Sequence, residues 1–551
     1  GQVHASPPFT REIRWGPCGQ GWALSPVGAA LMSILGTRLW AAFISVFSAL
    51  GAFLFGLDIG YIAPILECAT FKRDVVHLPD WQDPNSRIPD ATVGFIVGVF
   101  SIGCIGTSFP PVSGYFLESW GRKASIMLGS LVFLVGCAFQ VAATSVAMML
   151  CGRLVSGMSI GLLSAVVSLY QSELAPPSMR GTLTSFYQLM ITFGVVVAAA
   201  VDHALVWRDG GWRVAIALQT IPAGSLLLVM PLLPRSPRWL VQQGRREDAL
   251  AALQTVREEK EAQRELEEIV ESYERALARG EPHWPEFFEG RVGRLLFLGV
   301  TLQLLQQLVG MNAFMYFGPR IFASLGLDVN LYQTLTNLVT FLATFPALIL
   351  MDTCGRRTLL IFSALGMTLA CVVMGLLGYM CLVPKANGGW TSNSDLGNVG
   401  IVAMVFFFVA NFAYGWGPAV WVYNSEIFPL KYRSWCVSTA TCANWVGNYV
   451  IAQFTPVLLG QLGFATFYVF AVFCVAALLL SIWLPETKGV MLERMDEVFD
   501  QKFGKPETEG DPRANNSQPP VLYGAADVED SRSNVSDDRD TKRLVSMDPK
   551  E

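Results

Sequence analysis

The sequence predicts an all-α membrane protein in which twelve transmembrane helices form two six-helix halves related by pseudo-symmetry. Three observations predict this fold class: an apolar composition, twelve apolar runs of membrane-spanning length, and three motifs that recur in the same order. Of the 551 residues, 52% are hydrophobic and only 15% are charged, which is too apolar for a soluble protein of this length. The net charge of −5 forms no basic patch, so we expect no nucleic-acid partner.

The apolar runs are each close to the ~20 residues with which a helix crosses a bilayer. Six belong to a predicted N-terminal six-helix domain at 39–233 and six to a predicted C-terminal six-helix domain at 291–484. The runs lie at 39–66, 91–113, 124–143, 146–170, 181–206 and 212–233 in the first domain, and at 295–323, 331–351, 358–383, 399–424, 434–459 and 462–484 in the second.

Three polar segments surround these domains. Residues 1–38 form a mixed N-terminal segment, and residues 485–551 form a tail whose polar composition predicts disorder after about residue 501. Residues 234–290 combine helical spacing with dense opposite charges, which predicts an intracellular helical domain. The arginine-rich and lysine-rich short loops all fall on one side of the predicted helices, so we expect that side and both termini to be cytoplasmic.

Three motifs recur in the two halves. GYFLESWGRK at 114–123 recurs as ILMDTCGRRT at 349–358, and PRSPRWL at 234–240 recurs as LPETKG at 484–489. After the fourth span of each half, a glutamate precedes an arginine by seven residues. Duplicated six-span halves are typical of a transporter whose site lies between the halves near the bilayer midplane.

The repeated charges predict a cytoplasmic gate, a set of ion pairs that hold neighbouring helix ends together while that side is closed. Its predicted members are Glu118, Arg122, Glu173, Arg180, Asp352, Arg356, Glu426 and Arg433. The alternative is that these charges only fix topology and helix ends, as loop arginines commonly do. Three copied motifs favour the gate over this alternative.

One carboxylate, Asp58, lies inside the apolar run at 39–66, which contains no other charged side chain. An ionisable group at such a depth is costly unless it is paired or protonated. The residues leave two interpretations open. Asp58 takes up a proton, or it caps or hinges a broken helix, because Gly56, Gly60 and Pro64 surround it.

A cluster of amides predicts a sugar site, because sugar hydroxyls need side chains that both donate and accept hydrogen bonds. The cluster lies inside the seventh predicted span, where four amides fall within ten residues: Gln303, Gln306, Gln307 and Asn312. A lone amide in lipid can instead hold helices together, but four so close favour a ligand. Gly310 precedes Asn312, and we expect it to loosen the helix so that Asn312 faces the cavity.

Six stretches resemble the sugar porters of the major facilitator superfamily, in family order and at family spacing. They are GRLVSGMSIGLLSAVVSLYQSELAPPSMRG, PRSPRWL, QQLVGMNAFMYF, DTCGRRT, WGPAVWVYNSEIFPLKYR and PETKG. The resemblance, from about Gly51 to Glu493, implies alternating access by two six-helix domains around one sugar site. It also implies sugar contacts at Gln188, Gln306, Gln307, Asn312, Trp421 and Asn448, while Tyr316 and Asn444 serve either the sugar or packing and gating.

The resemblance also bears on Asp58. The sequence FGLDIG is similar to that of proton-coupled members of the family, and Arg153 in CGRLVSG matches the partner of the acid. The alternative is a constant buried ion pair that fixes helix packing.

Several positions depart from the family pattern, and two of them bear on the sugar site and the gate. Thr340 stands where the family often has a sugar-contacting asparagine, with Asn337 about one turn away. Arg235 stands where a glutamate is usual, so we expect the gate of the first half to lack one acid there.

The predicted function is a proton-coupled sugar symporter that takes up a monosaccharide, a hexose such as glucose, with Asp58 as proton carrier paired with Arg153. A passive sugar uniporter and a membrane sugar sensor are the alternatives. We expect no enzymatic activity, metal or cofactor, because the sequence has no nucleotide loop, nucleophile motif or paired cysteine spacing. A disulfide at Cys68, with Cys381 as partner, stays open. We also expect a plasma-membrane location and function as a monomer, with sugar, proton and lipid bilayer as partners.

Overall fold

The computed structural model describes residues 37, 39–83, 88–205, 208–278, 287, 288, 290–384, 390–492, 494, 495, 498 and 499. The predicted segment 1–38, apart from residue 37, and the predicted disordered tail after 501 lie outside the described residues. The described part is helical except for loops and a two-stranded antiparallel sheet, β1 (Leu382–Pro384) with β2 (Trp390–Ser392). Cys381, just before β1, carries a free thiol, so it does not form the disulfide considered for it with Cys68.

Six spans form the first half. They are α1 (Leu50–Glu67, the second part of a helical stretch that begins at Leu39), α2 (Asp90–Ser108) with α3 (Pro110–Ser119), α4 (Gly121–Val141), α5 (Val146–Leu174), α6 (Arg180–Leu205), and α7 (Gly211–Leu218) with α8 (Thr220–Val229). Short helical turns lie at Ala69–Phe71, Lys72–Val76, Pro177–Met179 and Met230–Leu232.

Three helices in the polar segment, α9 (Pro237–Gln242), α10 (Arg246–Gln254) and α11 (Glu259–Ala278), lead to the second half. Its spans are α12 (Gly290–Leu308) with α13 (Met311–Ser324), α14 (Val329–Thr353), α15 (Arg356–Cys381), α16 (Asp395–Tyr414) with α17 (Trp416–Glu426), α18 (Arg433–Leu462), and α19 (Thr466–Trp483). A further turn lies at Gly463–Ala465.

The described residues contain ten helical stretches long and apolar enough to cross a membrane, or eleven if the bent pair α2 and α3 counts as one span. The stretch Arg433–Trp483 is one of these ten, and it contains both α18 and α19. Counted as two, these helices bring the total to the twelve spans that the sequence predicts. The predicted all-α membrane fold is therefore confirmed.

Four spans that read as continuous in the sequence are broken. The second bends by 54° between α2 and α3, because Pro110 has no N–H to donate and starts a new helix. The seventh breaks at Gly310, whose φ of +97° favours glycine. The sixth and tenth break at Gln219 and Gly415, a few residues before Pro222 and Pro418.

The two halves repeat the same packing. In the first half, spans 1 and 5, 2 and 4, 3 and 4, and 3 and 6 pack together, and the equivalent pairs of the second half are 7 and 11, 8 and 10, 9 and 10, and 9 and 12. The halves meet where α2 packs against α18 and where α6 packs against α14. The first contact joins spans 2 and 11 and the second joins spans 5 and 8, so replacing each span by its counterpart in the other half turns one contact into the other. The internal repeat therefore extends from the motifs to the architecture.

Two glycines of α1 serve close packing rather than a hinge. A Cβ at Gly56 would lie 2.0 Å from the Ile191 carbonyl oxygen, and one at Gly60 would lie 2.5 Å from the Ala198 Cβ. The helix α1 runs unbroken from Leu50 to Glu67 with Pro64 inside it. The interpretation of Asp58 as the cap or hinge of a broken helix is therefore wrong, because the glycines allow α1 to approach α6.

Candidate functional site

Asp58 and Arg153 form an ion pair inside the first half. Both side chains are buried, and Asp58 Oδ2 lies 2.7 Å from Arg153 Nη1. Arg153 also donates from Nε to the carbonyl of Ile96 in α2 at 3.2 Å. The acid singled out by its apolar surroundings and the arginine singled out by the family resemblance therefore meet, and α1, α2 and α5 position them.

Polar side chains continue from this pair into α4. The Tyr61 hydroxyl, one turn after Asp58, lies 2.9 Å from Asp58 Oδ1 and 3.2 Å from Gln140 Oε1. Gln140 in turn donates from Nε2 to Ser156 Oγ at 2.7 Å. One hydroxyl proton serves only one acceptor at full strength, so Tyr61 keeps Gln140 as an acceptor if Asp58 takes up a proton.

Aromatic rings link this pair to the second half. The Arg153 guanidinium carbon lies 4.7 Å from the ring centroid of Phe100 in α2, and Phe100 lies 6.0 Å from the ring of Trp445 in α18. Trp445 also contacts Phe55 at 4.9 Å and donates from Nε1 to Ser164 Oγ at 3.0 Å. Trp445 of the second half therefore lies among α1, α2 and α5, and only the ring of Phe100 separates it from the ion pair.

The amides predicted in the seventh span form one hydrogen-bonded network with Asn444 of α18. Asn444 donates from Nδ2 to Gln303 Oε1 at 2.6 Å and to Gln306 Oε1 at 2.8 Å. It accepts from Gln307 Nε2 at 3.0 Å, and Gln307 accepts from Asn312. The helices α12, α13 and α18 therefore hold a continuous set of groups that both donate and accept.

Gln306 and Gln188 meet at the break in the tenth span. Gln306 donates from Nε2 to the carbonyls of Trp416 at 3.0 Å and Gly417 at 2.9 Å. The amide of Gln188 in α6 lies 3.3 Å from the position that a Cβ on Gly417 would take. Gln188 therefore brings the first half to the amides of the second.

Trp421 and Asn448 complete the predicted sugar contacts. The Trp421 ring lies one turn beyond Gly417 in α17 and packs at 5.0 Å against Tyr187 of α6. Asn448 Oδ1 accepts from Ser101 of α2 at 3.1 Å and from Tyr316 at 3.4 Å. Contacts across the halves thus involve Gln188, Trp421 and Asn448, beside the network that contains Gln306, Gln307 and Asn312.

Thr340 differs from the expectation. Its hydroxyl donates to the carbonyl of Thr336 in the same helix at 2.7 Å, and the residue is 1% exposed. Thr344 donates to Thr340 in the same way at 2.8 Å and lies 3.4 Å from the hydroxyl of Thr192 in α6. In this conformation Thr340 offers no free donor, because its proton is used inside α14.

We expect Gln307→Leu to raise the Kd for the transported sugar. Leucine offers the sugar neither the donor nor the acceptor of the amide, and a sugar hydroxyl buried without its partner costs about 1–3 kcal/mol, or roughly 5- to 150-fold in Kd. Isothermal titration calorimetry on the purified protein measures this. Thr301→Val in the same helix is the control, because Thr301 bonds to the carbonyl of Phe297. An unchanged Kd in Gln307→Leu would remove Gln307 from the sugar site.

Each half contains the same buried ion pair on the side of the basic loops. Arg122 pairs with Glu173 at 2.8 Å in the first half, and Arg356 pairs with Glu426 at 2.8 Å in the second. Each acid therefore binds the arginine of the repeated loop motif and does not bind the arginine that follows it by seven residues.

A hydroxyl completes each pair. Ser236 donates to Glu173 Oε2 at 2.5 Å, and Thr487 donates to Glu426 Oε2 at 2.8 Å. Ser236 and Thr487 both lie in the motif that follows the sixth span of their half. All three repeated motifs thus meet at one point in each half.

The second half has an acid that the first lacks. Glu486 accepts from the backbone N–H groups of Arg356 at 2.9 Å and Arg357 at 3.0 Å. It caps the start of α15, where the helix dipole favours negative charge. Arg235 occupies the equivalent place in the first half, with its guanidinium carbon 5.3 Å from the Trp239 ring centroid.

Two further gate residues join the halves. Asp352 of α14 accepts from the backbone N–H groups of Gly181 at 3.0 Å and Thr182 at 2.7 Å, at the start of α6. Arg180 donates from Nη1 to the carbonyl of Val490 at 3.1 Å. The side with the basic loops is therefore closed in this conformation.

Glu118 and Arg433 contribute through other contacts. The carbonyl of Glu118 in α3 accepts from Trp239 Nε1 at 2.7 Å, and α3 packs against α18 of the second half. Arg433 donates from Nε to the carbonyl of Phe428 at 3.0 Å. Glu118 thus holds α9 against α3, close to where the halves meet, and Arg433 fastens the start of α18.

The helices of the polar segment brace the end of α5. Arg257 pairs with Glu265 at 2.8 Å and donates to the carbonyl of Leu174 at 3.1 Å. Arg238 donates to the carbonyl of Glu173 at 2.7 Å. The last carbonyls of a helix have no partner within it, so these arginines tie the polar segment to α5.

Sequence reasoning missed several residues of these clusters, which are Tyr61, Phe100, Gln140, Ser236, Trp445 and Thr487. Helical spacing signals Tyr61, since it lies three residues after Asp58. The repeated motifs signal Ser236 and Thr487, because each places a hydroxyl at the same point of its half. No local signal indicates Phe100 or Trp445.

Comparison with known proteins gives consistent matches. A family model described as "Sugar (and other) transporter" matches residues 44–499. The arabinose-proton symporter of Escherichia coli is 36% identical over 84% of this chain and 94% of its own length. A hexose transporter of Saccharomyces cerevisiae is 32% identical over 86% of each chain. The solved structure of a proton:xylose symporter bound to 6-bromo-6-deoxy-D-glucose has a TM-score of 0.73 and 27% identity, covering 82% of this chain and 98% of that one.

Proposed function

Since this chain belongs to the sugar transporter family, we propose that it is a proton-coupled symporter that takes up a monosaccharide by alternating access. It is a multi-pass membrane transporter and not an enzyme. The single observation that carries the proton coupling is the buried pair of Asp58 and Arg153, which lies one aromatic ring away from Trp445 of the other half. Movement between the halves then changes the surroundings of Asp58.

In the proposed cycle, Asp58 takes up a proton and the central amides bind the sugar while the basic side is closed. The halves then rock, the contacts of Asp352 and Arg180 across the halves separate, and the site opens to the basic side. Arg153 then re-forms its ion pair with Asp58, and the proton leaves. The proposal places the basic side and both termini in the cytoplasm, and the working unit is a monomer in the plasma membrane.

The test is proton movement in proteoliposomes that contain only this protein and an internal pH-sensitive dye. We expect added sugar to acidify the lumen and labelled sugar to accumulate when the lumen is negative. A potential of 100 mV supplies about 2.3 kcal/mol per proton, or roughly 50-fold accumulation. Sugar uptake without proton movement would overturn the symport proposal.

A passive uniporter is the second candidate. Asp58 already has an ion pair and a hydrogen bond from Tyr61, as a permanent structural pair would. The name of the yeast relative mentions no proton. The proteoliposome experiment separates the two candidates, because a uniporter equilibrates the sugar and leaves the dye unchanged.

We further propose a hexose as the substrate. Support comes from the yeast hexose transporter and from the glucose derivative in the solved structure, although two of the matched proteins are named for pentoses. Unlabelled hexoses, pentoses, disaccharides and polyols should be tested as competitors of labelled glucose. We expect glucose to compete best, and stronger competition by a pentose would overturn the assignment.

We expect Phe100→Leu to lower the number of protons moved per sugar while leaving the sugar Kd unchanged. The ring joins Arg153 to Trp445, and its loss removes a cation–π contact of about 0.5–2 kcal/mol. Proton and sugar fluxes measured in the same proteoliposomes give the ratio. The control is Phe139→Leu, at a 43% exposed position of α4. An unchanged ratio would mean that the ring of Phe100 only fills space.

A further inference from the structure

A cavity of about 220 Å³ lies between α1, α6 and the broken sixth span, beside the ion pair. Its walls are mainly apolar and include Leu57, Val201 and Ala215. Two polar residues, Tyr61 and Gln219, also line it. None of the described side chains that line the cavity is charged, so its chemistry is that of an apolar channel with one polar end.

The cavity opens to lipid. Ile221 and Leu218 line it and are 63% and 37% exposed. Both lie in a span that crosses the bilayer, where the surroundings of an exposed apolar side chain are acyl chains. A ligand therefore reaches the cavity from the membrane.

Gln219 is the unexplained group of the cavity. It is 1% exposed, and neither its Oε1 nor its Nε2 has a hydrogen-bond partner among the described residues. Burying an amide without partners is unfavourable, so a ligand that pairs with it is stabilised. Pro222, also in the lining, has no N–H that could donate a hydrogen bond to the carbonyl of Leu218.

We propose that this cavity binds a long-chain fatty acid in its uncharged, protonated form. The carboxyl O–H donates to Gln219 Oε1, and Gln219 Nε2 donates to the carboxyl C=O, so two adjacent hydrogen bonds satisfy both atoms of the amide. The acyl chain follows the apolar walls past Val201 and leaves between Leu218 and Ile221. The inference does not depend on the proposed transport function.

Volume and charge select this ligand. A cavity of about 150 Å³ accommodates benzene, so this cavity admits a carboxyl group and part of a flexible chain but not the fused rings of a sterol. A phosphate headgroup needs a cationic partner, and the described lining has none. A fatty acid bound here contacts Tyr61, which donates to Asp58, so one side chain separates it from the ion pair.

The test is photolabelling of the purified full-length protein in nanodiscs with a fatty acid that carries a diazirine on its chain. We expect labelled peptides from α1, α6 and α8, and competition by oleic acid but not by methyl oleate, which lacks the donor. Gln219→Leu should lower labelling about tenfold, as loss of two hydrogen bonds predicts. Val201→Phe, which fills the cavity, should abolish it.

The matched control is Leu228→Phe, a 76% exposed position of α8 outside the cavity, where labelling should not change. Thermal unfolding and sugar binding of each variant check that it folds. Equal competition by methyl oleate, stronger competition by a sterol, or unchanged labelling in a folded Gln219→Leu protein would each overturn the proposal.

Discussion

Replacing Asp58 with asparagine is expected to abolish sugar-driven proton movement and sugar accumulation, while exchange of labelled for unlabelled sugar across the membrane persists. Asparagine has almost the same shape but carries no exchangeable charge, so it cannot release a proton to one side after binding it on the other. Accumulation should fall from roughly 50-fold at 100 mV to none. Exchange persists because the central amides and the movement of the halves do not require the charge.

The control must address Arg153, since removing one partner of a buried pair leaves the other uncompensated at a cost of about 3–5 kcal/mol. The double variant Asp58→Asn with Arg153→Gln removes both charges. We expect it to recover thermal stability but not accumulation. If it recovers accumulation as well, the pair is only a packing device and the protein is not driven through Asp58.

Glu426→Gln is expected to open the basic side and to reduce uptake by about 100-fold or more. The change breaks the buried pair of Arg356 with Glu426 and leaves Asp352, 3.2 Å from Arg356 Nη1, as its remaining ion-pair partner among the described residues, and breaking a buried pair costs about 3–5 kcal/mol in the closed conformation. A shift of that size moves a two-state equilibrium by more than two orders of magnitude. Glu173→Gln removes the equivalent acid of the first half and should act in the same direction.

The measurement is a distance distribution between spin labels on Trp120→Cys and on native Cys354, which lie in the repeated loops of the two halves, with exposed Cys151 replaced. We expect a longer distance in both variants. The matched control is Glu274→Gln, which breaks an exposed pair with Arg246 and should change little, because exposed pairs contribute little. Unchanged distances in Glu426→Gln would show that the buried pairs do not hold the gate closed.

The spans were predictable from the sequence because every backbone polar group in lipid must be satisfied internally, which forces an apolar run of helical length. The apolar composition of a span does not indicate where its helix is broken. Gly310 was recognisable, since it lies just before Asn312 in the amide cluster. The breaks at Gln219 and Gly415 were not predicted, although Pro222 follows the first and Gly417-Pro418 follow the second. Hydropathy measures the surroundings of a segment and not the path of its backbone.

The site was predictable where one residue violated a local rule. Asp58 stands out as a charge in an apolar run, but its partner lies 95 residues away and only the family resemblance pointed to Arg153. Trp445 and Ser164 are separated by 281 residues, and each is an ordinary residue for a helix in a membrane. The seven-residue spacing also did not indicate the partners of Glu173 and Glu426, which are Arg122 and Arg356 of the loop motif.

The proposed sugar contacts and the proposed proton carrier lie mostly on different six-helix domains of this chain. Apart from Gln188, the amides and indoles that would recognise a hydroxylated ring belong to the C-terminal one, and the titratable pair belongs to the N-terminal one. Consider a hybrid that joins residues up to about 290 of this protein to the C-terminal half of a relative that prefers another sugar. It should show the sugar specificity of the relative and the proton coupling of this protein.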